Sequence, residues 1–101
     1  MIARTWRGLT PAAKADEYLN YLERTGIKDI RATPGNKGVF VFRRVVGGEA
    51  EFLMMTLWES MEAIKKFAGD DPERAVYYPE DEQFLLELEP NVSHYDVLVQ
   101  L

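Results

Sequence analysis

The chain alternates between strand-like and helix-like patterns of hydrophobic residues. Alternation at the start predicts a first strand that places Arg4 and Trp6 on the same side. The next segment predicts a helix that begins with Thr10 and Pro11 and ends at Gly26, because a hydroxyl cap followed by proline favours a helix start and glycine a helix end.

Two further strands are predicted around a turn at Gly47 and Gly48, after a loop over residues 27–38. Both runs, residues 39–42 and 52–55, are apolar at consecutive positions. Strands with one solvated face alternate, whereas strands covered on both faces do not. The pattern therefore predicts a sheet that is covered twice.

Ser60 predicts the cap of a second helix that ends near Gly69. Two short helical pieces are predicted to begin at Pro72 and Pro79, and residues 92–101 predict the last strand. The order is βαββαβ with extra short helices before the last strand. It predicts an α+β, ferredoxin-like fold.

Residues 1–101 show no linker or repeat and are interpreted as a single domain. Helices cover one face of a ferredoxin-like sheet, and this chain has too few of them to cover both. The simplest cover for the second apolar face is another copy of the same sheet. We therefore expect a homodimer whose two sheets close against each other.

Strand parity assigns the aliphatic side chains of Leu53, Met55 and Leu57 to the face under the helices. The opposite face then combines apolar walls with a few hydrogen-bonding groups, which suits a small-molecule pocket. Its predicted members are Trp6, Phe52, Thr56, Trp58 and His94, and Arg4 could share it.

Composition narrows the function further. The net charge of -5 argues against a nucleic-acid partner, and the absence of cysteine with a single histidine argues against a transition-metal site built by one chain. No apolar run approaches the roughly 20 residues that cross a bilayer, and the first residues lack a secretory signal pattern. We therefore expect a cytoplasmic protein with no membrane partner.

The segment EFLMMTLWESMEAIKKFAG resembles the antibiotic biosynthesis monooxygenase family, and AVYYPED and HYDV look like a subgroup of its bacterial members. The resemblance covers nearly the whole chain. It implies two ferredoxin-like subunits that form a dimeric α/β barrel. The family's activities include cofactor-independent oxygenation of aromatic, polyketide-like substrates and oxidative haem breakdown.

Haem-degrading members of that family resemble one another in three places where this chain differs. Thr5 or Trp6 stands near their first-strand Asn, Phe67 near their helix Trp, and AVYY has no His where they carry the iron ligand. Haem breakdown by that arrangement is therefore not expected.

For an oxygenase, the resemblance implies a pocket wall of Trp58 and Tyr77, with His94 as the proton-handling residue. An imidazole supplies a general base near neutral pH. Arg44 is a candidate for holding a negatively charged substrate. The further substrate-binding candidates are Trp6 and Thr56. No cofactor or metal is expected.

Three hypotheses remain open. The first is a small-molecule monooxygenase, and the second is a non-enzymatic dimeric binding module for a small aromatic or haem-like ligand. The third is a scaffold whose interior is packed shut, in which His94 and the tryptophans are structural residues. A cavity distinguishes the third hypothesis from the other two.

Overall fold

A computed structural model describes all 101 residues. Four antiparallel strands form one sheet in the order β2-β3-β1-β4. This confirms the α+β, ferredoxin-like βαββαβ arrangement. The elements are β1 (Ile2–Pro11), α1 (Ala15–Arg24), α2 (Gly26–Ala32), β2 (Asn36–Val46), β3 (Glu49–Trp58), α3 (Met61–Ala68), α4 (Asp81–Phe84) and β4 (Ser93–Asp96).

The first strand and the first helix have different bounds from those that the sequence predicts. Thr10 and Pro11 do not begin a helix, because β1 pairs with β3 over its full length and Thr10 lies opposite Ala50. A 3₁₀ turn at Ala12–Lys14 then leads into α1. Gly26 begins α2 instead of ending α1, so part of the predicted loop is helical.

The end of the chain also differs. The predicted last strand shortens to β4, which pairs only with the start of β1. The helical piece expected after Pro72 is absent, because this segment forms a turn and an isolated bridge between Arg74 and Asn91. Two predicted signals are confirmed, since the Ser60 side chain accepts the amide of Ala63 and Gly69 adopts a φ of 88°.

The helices cover the face of the sheet opposite to the one predicted. Phe52 and Trp58 are fully buried beneath them, whereas Leu53 is 41% exposed on the other face. The large aromatic rings of Phe52 and Trp58 fill the space between the sheet and the helices. The assignment of Leu53, Met55 and Leu57 to the helix side is therefore wrong, although the grouping of the other residues is correct.

The open face of the sheet carries apolar side chains that nothing in the subunit covers. Phe40 and Phe42 are 45% and 47% exposed, and their rings stack with centroids 6.0 Å apart. Leu53 lies opposite Phe42 on the neighbouring strand. No helix of the structure has the length and hydrophobicity of a membrane span.

The hydrophobic core is divided into two clusters. One is built around Trp6, Tyr18 and Phe52, and the other around Ile30 and Trp58. Met54 packs against both. The space between the two clusters is the cavity described next.

Candidate functional site: an aromatic cavity between sheet and helices

An internal cavity lies between the helices and the covered face of the sheet. Its floor includes Trp6 and Met54, one side includes Tyr18 of α1, and Phe67 of α3 lies on another side. Its atom-free space is about 400 Å³ when the part that is open to solvent is included, and only about 30 Å³ admits the centre of a water molecule. The space that is free inside the cavity is therefore narrow.

Trp6 and Tyr77 form a fixed aromatic pair at this cavity. The indole Nε1 of Trp6 donates to the Tyr77 hydroxyl at 3.2 Å, and that hydroxyl donates to the Glu89 carbonyl at 2.6 Å. The two rings meet edge to face, with centroids 6.3 Å apart. Burial raises the pKa of Tyr77. Trp6 and Tyr77, two of the five predicted substrate-binding residues, therefore line the cavity, and Tyr77 is a neutral phenol.

Trp58 and Thr56 lie below the cavity wall, not on it. The Trp58 indole donates to the Thr56 hydroxyl at 2.8 Å, and that hydroxyl donates to the Arg4 carbonyl at 3.3 Å. Trp58 also stacks on Phe67, with centroids 6.1 Å apart. These contacts position two lining residues, Arg4 and Phe67, from beneath.

Arg4 brings a positive charge to the cavity. It is 5% exposed, and its guanidinium lies 5.7 Å from the ring centroid of Phe67. Its Nη2 donates to the carbonyls of Arg74, at 2.9 Å, and Pro72, at 3.4 Å. Burial lowers the pKa of Arg4 to about 10, so the group remains a cation at neutral pH.

Asp81 brings a carboxyl group to the same cavity. It is 4% exposed and accepts hydrogen bonds from the Tyr78 amide at 2.6 Å and the Tyr18 hydroxyl at 3.3 Å. Burial raises the pKa of Asp81 and outweighs these hydrogen bonds, which act in the opposite direction. A carboxyl group whose pKa is raised by burial is a candidate for accepting and releasing a proton in a reaction.

The other two predicted site residues lie elsewhere. His94 is opposite Arg4 on β4, does not line the cavity, and has a buried Nε2 without a hydrogen-bond partner. Burial, followed by the charge of Arg4, lowers its pKa, while Glu73 opposes the shift. Arg44 does not line the cavity either. Its side chain is 73% exposed on the open face of the sheet and pairs there with Glu51, 2.6 Å away.

Two lining residues, Asp81 and Arg4, are not among the substrate-binding residues that the sequence predicts. The signal for Arg4 was present, because strand alternation groups it with Trp6. Asp81 had no comparable signal, since only the folded chain brings it against Tyr18 and buries it.

A wider outer cleft adjoins the cavity. It lies between the end of α2 and α3 and shares Phe67, Val76 and Tyr78 with the inner cavity. About 520 Å³ of the cleft admits the centre of a water molecule, compared with about 30 Å³ in the inner cavity. The Tyr78 hydroxyl donates to Asp29 at 2.7 Å across this shared wall. No three His, Asp or Glu side chains lie close enough together to hold a metal ion.

Fold and site together define a ferredoxin-like α+β protein with an aromatic cavity between its sheet and its helices. No protein-family model matches the chain, and no curated protein matches it. Solved structures of the same fold do.

One is a putative antibiotic biosynthesis monooxygenase from Bacillus cereus, with a TM-score of 0.68 and 20% identity, covering 100% of this chain and 94% of that chain. A second is the heme-degrader MhuD of Mycobacterium tuberculosis with two hemes bound in its active site, with a TM-score of 0.67 and 19% identity over 100% and 99% of the chains. A third is Rv0793 of Mycobacterium tuberculosis, with a TM-score of 0.61 and 19% identity, covering 98% of this chain and 96% of that chain. At these identities the likeness shows a shared fold.

Proposed function

We propose that this protein is a small-molecule monooxygenase that oxidises an electron-rich aromatic substrate with molecular oxygen, without flavin or metal. The observation that carries the proposal is the aromatic cavity with a buried carboxyl group, Asp81, in its wall. The fold shared with the Bacillus cereus protein supports it.

The reaction that suits this cavity converts a phenol with a free para position into a quinone. The substrate gives four electrons to O₂, one oxygen atom bonds to the para carbon, and the other leaves as water. The two hydrogens of that water come from the phenolic O–H and the para C–H. Asp81 accepts the phenolic proton, which makes the ring a better reductant, and returns it to the departing oxygen.

The wall residues orient the ring. Trp6 and Tyr77 are held by their mutual hydrogen bond and by the Glu89 carbonyl, so they offer a rigid surface against which an aromatic substrate packs. Trp58 and Thr56 hold that site in shape from below.

Two residues, Asp81 and His94, are candidates for the proton acceptor. Asp81 lines the cavity and His94 does not, so we assign the role to Asp81. With 1,5-dihydroxynaphthalene as a probe, the protein should consume one O₂ per substrate and form the hydroxyquinone. Asp81→Asn should lower turnover by about 10² to 10⁴, the usual contribution of a general base, whereas His94→Gln should retain most of it.

Oxygen uptake, corrected for autoxidation without protein, measures these rates. Equal turnover by Asp81→Asn and the parent protein would remove the assigned role, and loss confined to His94→Gln would transfer the role to the imidazole. No uptake with any electron-rich phenol would refute the oxygenase itself.

The protein is proposed to be a homodimer. The uncovered side chains of Phe40, Phe42 and Leu53 form an apolar surface that water disfavours, and a second copy of the sheet would cover it with the same apolar side chains. The cavity lies on the other face of the sheet, so each subunit holds its own site away from that interface.

A haem-binding function suits these residues less well. The cavity wall has no histidine, and burial is the main reason that the pKa values of Tyr18 and Tyr78 are raised, which disfavours the tyrosinate that iron ligation requires. Haemin titration should therefore give no Soret band of a ligated complex at micromolar protein. A shifted band would favour the binding module instead.

A further inference from the structure

Arg4 is a buried cation without an anionic partner. No carboxylate forms an ion pair with it, and its Nε is buried with no hydrogen-bond partner. A charge this deeply buried normally has a counter-charge, because desolvation penalises the charged form strongly. The missing partner is therefore a feature of the cavity that requires an explanation.

The neighbouring groups do not supply that partner. Backbone carbonyls satisfy Nη2, and the ring of Phe67 offers only its weak negative face. His94, on the adjacent strand, is an imidazole whose pKa is lowered. Asp81 lines the same cavity, but its carboxyl oxygens accept hydrogen bonds from the Tyr18 hydroxyl and the Tyr78 amide.

We propose that Arg4 makes the cavity selective for aromatic acids, with the ligand carboxylate accepting from the free Nε–H while the ring packs against Trp6 and Tyr77. The inference rests on the proposed function, because it names the substrate class of that site as a phenol that also carries a carboxylate. The anchored carboxylate remains unchanged in the reaction. Arg4 binds and orients the substrate, and Asp81 remains the proton acceptor.

Two isosteric probes test the charge alone: 2-naphthoate and its neutral amide, 2-naphthamide, each titrated calorimetrically. A hydrogen bond to a charged group predicts that the parent protein binds the acid about tenfold more tightly or better. Arg4→Met should reduce this preference to about twofold or less, and Arg4→Lys should retain part of it. Arg44→Met removes the same charge from the opposite face and should keep the full preference.

Circular dichroism identifies the variants that fold, and Arg4→Gln replaces Arg4→Met if the latter does not. Equal affinity of the parent protein for the two probes overturns the selectivity, as does a preference that survives the loss of the guanidinium. If the amide binds as well as the acid and phenol oxidation persists, only the substrate class fails. If neither probe binds, the cavity is not a ligand site and the proposed function fails with it.

Discussion

Gly8 offers the sharpest test of how the cavity is shaped. This glycine lies on β1 next to the indole of Trp6. A methyl group added at Gly8 would overlap Cη2 of Trp6, and it would lie 2.7 Å from Cζ2 of the same ring and 3.0 Å from Cδ2 of Leu85. Ordinary contacts begin at 3.4 Å, so the indole must shift by more than 0.7 Å, the difference between 3.4 and 2.7 Å, because Cη2 lies nearer than Cζ2. Gly8→Ala therefore presses Trp6 toward the cavity.

The expected cost has three parts. Overpacking beside a rigid ring costs about 1–3 kcal/mol. Weakening the hydrogen bond between Trp6 and Tyr77 costs about 0.5–1.5 kcal/mol. Restricting the unfolded chain returns about 0.4–1 kcal/mol. Gly8→Ala should therefore lower the free energy of unfolding by about 2 kcal/mol.

Urea unfolding followed by circular dichroism measures this difference in stability. Titration with 2-naphthamide measures the affinity of the cavity for an aromatic ligand. Gly38→Ala is the matched control, because its methyl group would meet only Cδ1 of Leu57, at 3.8 Å. The control should stay within about 1 kcal/mol of the parent protein, on the stable side. If Gly8→Ala matches the control in both stability and affinity, Trp6 does not shape the cavity as argued.

Three further outcomes are expected. Phe42→Asp places a charge on the exposed sheet face and should convert a dimer into a folded monomer in sedimentation experiments; a parent protein that is already monomeric would contradict the dimer. Ser60→Ala removes the cap of α3 and should cost about 1 kcal/mol in urea unfolding, whereas Ser93→Ala, at an exposed site whose hydroxyl makes no hydrogen bond, should cost almost nothing. Because the folded pKa of His94 lies below its unfolded value, the unfolded chain binds more protons, and stability should fall as pH drops below about 6.5. His94→Gln should lose less stability over that range, and an unchanged pH profile would show that the imidazole does not contribute.

Order and type of the main elements could be predicted because the governing signals are local. Ser60 and Gly69 bound α3 through their own side-chain and backbone chemistry, and both act as expected. Gly26 did not end a helix, because a left-handed conformation is only one use of glycine and here the chain turns directly into α2. Thr10 has a capping side chain, but its ladder with β3 is the stronger constraint.

Which face of the sheet lies under the helices was not predictable from alternation alone. Alternation groups side chains by side but does not say which side is which. Leu53 and Met55 are apolar enough for either face of the sheet. Only the fit of Phe52 and Trp58 beneath the helices decides which face the helices cover. His94 and Trp6 were grouped correctly, yet the cavity closes before it reaches His94.

The cavity persists because polar groups interrupt the apolar core where its two clusters meet. Met54 touches both clusters, but the space beside it also faces the guanidinium of Arg4 and the carboxyl of Asp81. Apolar side chains that closed over these groups would leave them without hydrogen-bond partners, at a cost of about 1–3 kcal/mol for each unsatisfied group. A hole lined only by Ile30 and Phe67 could collapse at little cost, whereas one that contains a cation and a carboxyl stays open to a ligand or to water. The same two groups that make the core imperfect therefore give the cavity its chemistry.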